Sequence, residues 1–379
     1  MTTARVSVKP TLLHWACERS RIDGMELAAR FPKLDAWLSD EVQPTFKQLE
    51  DFARATHVPF GYLFLPEPPE EPLPIADFRE RSPGPPSGDL LDTIYAAQRR
   101  QDWFKEYATT ERLDAVEWIG RVTLKDKPAE IAARLRKLLG FEANQRKEHA
   151  NWEAATKVLA DRAQGLGVLV AVSGIVGSNT KRKLDAEEFR GFSLVDSLAP
   201  YVFINGADHK AAHAFTLCHE LAHLALGFAG LSNEDLGEFR HEQVESWCDA
   251  VAFEILAPND RLTTARDDKD VQRIAGELTR ELRVSPLVAV RRVAEHSELP
   301  ERVFTRCYQA TVDALPKTGG GAGGNFYATA LKRVGHRFAR DVVASALEGN
   351  TTFTEAFRLL GVRNSTAFQE LSRRLGFAP

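Results

Sequence analysis

The run from His219 to His223, with the sequence His-Glu-Leu-Ala-His, constrains this chain more than any other segment. On a helix, its two histidines lie one turn apart on the same face, so both imidazoles can bind one metal ion. Glu220 stands beside the first histidine and can act as the base for a water molecule at that metal. The pattern therefore predicts a helix with two ligands, His219 and His223, and requires a further ligand from elsewhere in the fold.

Residues 241–258 form a second helical pattern, which ends at a proline and offers the missing ligand. Glu245 and Asp249 are four residues apart, so their carboxylates share one face of this helix. The apolar residues around them describe a largely buried helix, in which an acid needs a partner or a metal; an ordinary polar face is the alternative. We predict a zinc site in which Glu245 joins the two histidines as a ligand, while Asp249 accepts the free N–H of one of them.

A hydrolase also needs a hydrogen-bond donor for the oxyanion that develops on its substrate. His241 lies one turn before Glu245, where it could donate this bond, serve as an alternative ligand or simply be exposed. Tyr201 and His213 are further candidates on position alone. The sequence leaves this role open among these residues.

Three short runs rich in β-branched residues precede the histidine motif, at residues 165–172, 191–195 and 201–205. They predict a small sheet, while the rest of the chain carries helical patterns, so the expected fold class is α+β and mostly α-helical. Residues 202–205 are interpreted either as an edge strand that pairs with an extended peptide or as an ordinary core strand.

Two segments of unusual composition divide the chain. Residues 65–74 are too rich in proline for a helix or a central strand, and residues 318–325 are rich in glycine like a flexible linker. We therefore predict a helical N-terminal module over 1–75, a catalytic domain with its helical scaffold over 76–317, and a C-terminal helical unit over 326–379.

Composition argues against secretion and membrane insertion. The N-terminus lacks an apolar targeting segment, and the chain contains no run of about 18 apolar residues. The four cysteines form no CxxC pair, so a reducing, cytoplasmic setting is expected. Cys218 and Cys248 lie next to predicted site residues, where a thiolate ligand or a redox link is conceivable, but small buried side chains are the preferred interpretation.

The net charge of −4 gives no overall attraction to nucleic acid, yet the C-terminal unit is locally basic. Residues 326–379 carry eight lysines and arginines against four acids, and residues 353–375 are patterned as helix, glycine turn and helix. This pattern is typical of a small helix-turn-helix unit that contacts DNA. Solvated helical faces without a partner are the alternative.

The segment around the motif resembles the ImmA/IrrE family of bacterial metallo-endopeptidases. The resemblance spans roughly residues 165–260 and rests on Phe215 to Leu224, on the preceding strand 202–205 and on the helix from Glu245 to Pro258. It implies a zincin-like catalytic domain, zinc ligands at His219, His223 and Glu245, and a catalytic base at Glu220. Members of this family cleave or inactivate helix-turn-helix repressors, so the resemblance also implies a protein substrate of that class.

The N-terminal segment is similar to the degenerate Xre-type helix-turn-helix of some long family members, notably at 34–38 and 44–59. The expected recognition region, residues 31–40, has one lysine, two aspartates and an internal proline, which suit neither phosphate contacts nor a regular helix. We therefore interpret 1–75 as a docking or structural module in preference to a DNA reader.

Two functions follow from these patterns. The first is a zinc endopeptidase that cleaves a specific protein partner, expected to be a transcriptional repressor, in bacterial stress, toxin-antitoxin or mobile-element regulation. The second is a DNA-binding or protein-binding regulator or antitoxin whose zinc site is structural or vestigial, with DNA contacts through 326–379 or 1–75.

Overall fold

The computed structural model divides into two compact units. One comprises Met1–Pro74 with Pro83–Tyr95, and the other comprises Ile75–Ser82 with Ala96–Pro379. The structure describes residues 5–75, 86–227, 238–315 and 326–377 of the chain.

The first unit is a small helical module around an aromatic core. Phe31, Trp37 and Phe52 pack together with ring centroids 5.6 to 6.3 Å apart. Its last helix begins with a capping box, in which Gln48 N–H donates to the Thr45 hydroxyl and Thr45 N–H donates to the Gln48 side chain. The helices are α1 (Pro10–Ser20), α2 (Gly24–Arg30), α3 (Leu34–Leu38) and α4 (Phe46–Thr56).

Helix α5 (Gly88–Thr110) begins in the first unit and continues into the second. The second unit then adds eleven described helices, and buried residues between Ile119 and Cys307 form one large apolar core in it. They are α6 (Pro128–Leu138), α7 (Trp152–Gly165), α8 (His213–Leu226), α9 (Glu238–Leu256), α10 (Asp268–Leu282), α11 (Pro286–His296), α12 (Glu301–Ala314), α13 (Phe326–Val334), α14 (His336–Leu347), α15 (Phe353–Leu360) and α16 (Ser365–Arg374).

A three-stranded sheet precedes α8, with strands β1 (Leu169–Ser173), β2 (Gly191–Leu194) and β3 (Tyr201–Asn205). The strand order is β1-β3-β2, with β3 parallel to β1 and antiparallel to β2. The interpretation of residues 202–205 as an edge strand is therefore wrong, because β3 is central and its side chains are buried. Hydrophobic residues on both faces are the usual composition of a central strand.

The predicted fold class, α+β and mostly helical with a small sheet and a zincin-like domain, is confirmed. Within the described ranges, no helix combines the length and the apolar composition needed to cross a bilayer. The glycine-rich segment 318–325 lies outside the described residues, and the predicted domain boundaries stay a prediction.

Helices α8 and α9 pack against each other in the core and position the candidate site. Three arginines satisfy carbonyl groups at the C-terminal end of α9, which otherwise lack partners within the helix. Arg146 donates to the carbonyls of Ile255 and Leu256, Arg292 donates to that of Ala257, and Arg136 donates to that of Glu254. The helix that carries Glu245 and Asp249 is thereby anchored at its end.

Candidate metal centre

The structure brings His219, His223 and Glu245 together at the contact between α8 and α9. The Nε2 atoms of the two histidines lie 3.0 Å apart. Oε2 of Glu245 lies 3.2 Å from Nε2 of His219, and Oε1 lies 3.1 Å from Nε2 of His223. One donor atom from each residue thus lies within 4.8 Å of the other two, close enough for all three to share one ion.

Asp249 lies one turn after Glu245 and contacts the imidazole of His219 at the ring nitrogen that faces away from the cluster. Its Oδ1 atom lies 2.9 Å from Nδ1 of His219, so the N–H at Nδ1 donates to Asp249 and Nε2 faces the cluster. This is the arrangement that the spacing of the two acids predicts. It fixes both the tautomer and the orientation of the ring.

The charges around His219 favour a cation at the cluster. Burial lowers the pKa of His219, but the hydrogen bonds to Asp249 and Glu245 outweigh it and raise that pKa to about 10. Burial likewise raises the pKa of Glu245, and the two histidines reverse this effect and hold it well below its usual range. Two imidazole nitrogens and a carboxylate oxygen are donors that suit zinc among divalent metals, so the residues present fit such an ion.

Glu220 is buried beside the cluster, where only 7% of its surface is exposed. Burial raises the pKa of its carboxyl group, while the nearby histidines and a hydrogen bond with Ser193 oppose that rise. Gly191 of β2 leaves room for this carboxylate, since a Cβ atom at position 191 would lie 3.1 Å from Oε1 of Glu220. A raised pKa and a position next to three candidate metal ligands are what a general base would require.

Of the three candidates for an oxyanion donor, Tyr201 and His213 are described by the structure and do not join this cluster. The side chain of His241 lies outside the described residues. Tyr201 is fully buried and its hydroxyl accepts a 3.4 Å hydrogen bond from Arg100. His213, the first residue of α8, is 7% exposed, and burial together with two lysines lowers its pKa to about 4.

Cys218 and Cys248 are free and fully buried. Burial raises the pKa of the Cys218 thiol to about 12 and that of Cys248 well above its usual value. Neither thiol belongs to the described group of possible metal ligands, which agrees with small buried side chains.

Sequence reasoning missed three residues that shape the site. Gly191 and Ser193 of β2 border Glu220, and Arg291 of α11 contacts Asp249 at 2.7 Å. A glycine at the start of a predicted strand was a signal for a close approach of other atoms. No comparable signal identified Arg291, because its role depends on how α11 packs beside α9.

Comparisons with known proteins give two matches. Residues 164–294 match the model of peptidase family M78, described as the IrrE N-terminal-like domain, which includes the sheet and both site helices. Residues 334–374 match a model described as Domain of unknown function (DUF8813). Neither curated proteins nor solved structures gave a match. The first match supports a metallopeptidase-like domain in the middle of the chain, similar to the ImmA/IrrE family, and its boundaries enclose every residue of the cluster.

Proposed function

We propose that this protein is a zinc-dependent endopeptidase that cleaves a specific protein partner. The observation that carries the proposal is the joint placement of His219, His223 and Glu245 around one point, with Glu220 buried next to them. A merely structural zinc site would not need a fourth residue with the raised pKa of a base.

His219, His223 and Glu245 would hold the ion, and Asp249 would keep the first imidazole in its binding tautomer. When bound, zinc supplies Lewis-acid polarisation of a carbonyl group and makes a water molecule more acidic. Glu220 accepts the proton of the attacking water on its carboxylate and passes it to the leaving amine. Burial serves both transfers, because it brings the pKa of this carboxyl closer to neutrality.

The edge of β2 offers a place for an extended substrate. Asn205 N–H donates to the Arg190 carbonyl, so the alternation of an antiparallel pair turns the backbone groups of Gly191 and Ser193 away from β3. Among the described residues, no other strand pairs with that side of β2. A peptide that adds there as a strand would run past Glu220, which borders the same two residues.

The proposed partner is a transcriptional repressor of the helix-turn-helix class, and its cleavage would regulate bacterial stress, toxin-antitoxin or mobile-element genes. The support for this substrate is the similarity of residues 164–294 to the IrrE-type domain.

DNA contacts through the terminal helical units, 1–75 and 326–379, are a second part of the proposal. In the C-terminal unit, Arg373 and Arg374 already pair with Glu370 at 2.8 and 2.7 Å, so these two arginines are poorly placed for phosphates.

The experiment is co-expression of the full chain with candidate repressors from neighbouring genes, followed by mass spectrometry of new N-termini. Fragments should form with the wild type and with Glu242→Gln, an exposed acid on the same helix as Glu245, and should vanish with Glu220→Gln. Fragments that persist with Glu220→Gln, or a cellular effect that survives this substitution, would refute the endopeptidase.

A further inference from the structure

Two residues bind the carboxylate of Asp249, and only one of them belongs to the proposed zinc site. Its Oδ1 atom pairs with Nδ1 of His219 at 2.9 Å, while its Oδ2 atom accepts a 2.7 Å hydrogen bond from Arg291. Each carboxylate oxygen therefore has its own partner, and the two partners together fix the plane of the carboxylate. Arg291 comes from α11, which follows α9 in the chain by about 30 residues and carries none of the predicted ligands.

The guanidinium of Arg291 is itself held in place by two aromatic rings. It lies 5.0 Å from the ring centroid of Phe215 and 5.1 Å from that of Phe253, and these two rings are 4.7 Å apart. Phe215 belongs to α8, one turn before His219, and Phe253 belongs to α9, one turn after Asp249. A planar cation that contacts aromatic side chains of both site helices has little freedom to rotate.

The charges of the pair fit this role, because the Arg291 guanidinium is a cation that lies 2.7 Å from the Asp249 carboxylate. Arg291 thus holds the carboxylate of Asp249 aimed at the imidazole. The side chains of Arg291 and Asp249 remain 37% and 31% exposed, so this pair is not a requirement of the buried core.

We propose that Arg291 is a positioning residue for the metal centre, which acts on zinc affinity through Asp249 and His219. This inference rests on the proposed zinc site. Without Arg291, the Asp249 carboxylate can rotate away from Nδ1, and the imidazole loses the partner that sets its tautomer and its basicity. Loss of a partner of this kind typically weakens metal binding by about 10-fold to 100-fold.

The test is the zinc dissociation constant of the full chain, measured by competition with a chelating dye. The variants are Arg291→Gln, Asp249→Asn and the double variant, with Arg302→Gln on an exposed position of α12 as the control. We expect about a tenfold weaker affinity for Arg291→Gln and no further loss when it is added to Asp249→Asn. Arg291→Lys keeps the charge but not the planar contact with the rings, so it should restore only part of the affinity.

Cobalt substitution provides a readout that a purely structural role would not change. The visible absorption of the Co²⁺ protein should shift in Arg291→Gln and stay unchanged in Arg302→Gln. An unchanged zinc affinity in Arg291→Gln would overturn the inference, and so would an equal loss in the presence and absence of Asp249. A wild type that binds no zinc in the same titration would instead overturn the proposed metal site itself.

Discussion

Gly191 lies against Glu220 so closely that the site has no room for a side chain at position 191. A Cβ atom there would stand 3.1 Å from Oε1 of Glu220, 2.7 Å from Cγ2 of Thr216 and 2.8 Å from the carbonyl oxygen of Phe203. The last contact is with backbone, which cannot move as a flexible side chain can. The close approach of β2 to α8 is thus a condition for the position of Glu220, the proposed base.

Gly191→Ala should therefore lower peptidase turnover by about tenfold or more while zinc remains bound, because it displaces Glu220 and not the ligands. The measurement is kcat on a cleaved partner together with the zinc content of the same sample. Gly165→Ala, at the end of α7 where a Cβ atom meets nothing within 4 Å, is the matched control and should retain wild-type turnover. Full activity in Gly191→Ala would contradict the assignment of the base.

Arg146 should be essential for stability because it is fully buried and donates to the last carbonyls of α9. Its guanidinium also contacts the carbonyl of Phe141 and lies 4.1 Å from the centroid of the Phe141 ring. Burial lowers the pKa of Arg146 to about 10, which still leaves it charged at neutral pH. Arg146→Met would leave several buried carbonyl groups without a hydrogen-bond donor.

We expect Arg146→Met to lower the free energy of unfolding by about 3 kcal/mol, measured by urea denaturation of the metal-free protein. Arg134→Met, on an exposed position of the neighbouring helix α6, should change it by less than about 0.5 kcal/mol. Equal stability of the two variants would show that Arg146 does not anchor α9.

Because Asp196 forms an ion pair with Lys105, we expect the protein to lose stability in acid. Burial raises the pKa of this carboxyl, but Lys105 at 2.6 Å and the N–H groups of Leu198 and Ala199 outweigh it and lower the pKa below its usual value. The ionised form therefore stabilises the fold above the unfolded pKa of about 3.9, and this contribution disappears as the pH falls through the lowered folded pKa.

The comparison is between the wild type and Asp196→Asn, with the free energy of unfolding measured from pH 6 down to about pH 3. The advantage of the wild type should be constant near pH 6 and should shrink below about pH 4. A difference between the two proteins that does not change with pH would contradict the role of the ionised carboxylate.

The local part of the site could be predicted from the sequence, since it depends on helical spacing. His219 and His223 share a face of α8, and Glu245 and Asp249 share a face of α9, because four residues make about one helical turn. The existence of a small sheet before α8 followed in the same way from β-branched runs bounded by glycine.

The other features of the fold and the site depend on which helices and strands pack together. Short sequence patterns do not determine that packing. The run at 202–205 is largely apolar on both faces, and this pattern alone does not distinguish an edge strand from a central strand. The position of β3 is decided by β1 and β2, which pair with it on either side. Arg291 and Arg146 look like ordinary polar residues of their own segments. Their partners lie 42 and about 110 residues away in the chain, and only the packing of α9 brings them together.

The most direct test of the proposed metal centre is the zinc content of the purified full chain. It is determined by inductively coupled plasma mass spectrometry after dialysis against a weak chelator. The central claim predicts about one zinc ion per chain for the wild type and for Glu242→Gln, and little zinc for Glu245→Gln, which loses a charged ligand. Absence of zinc from the wild type, or equal zinc in Glu245→Gln, would contradict the claim that His219, His223 and Glu245 form the metal centre.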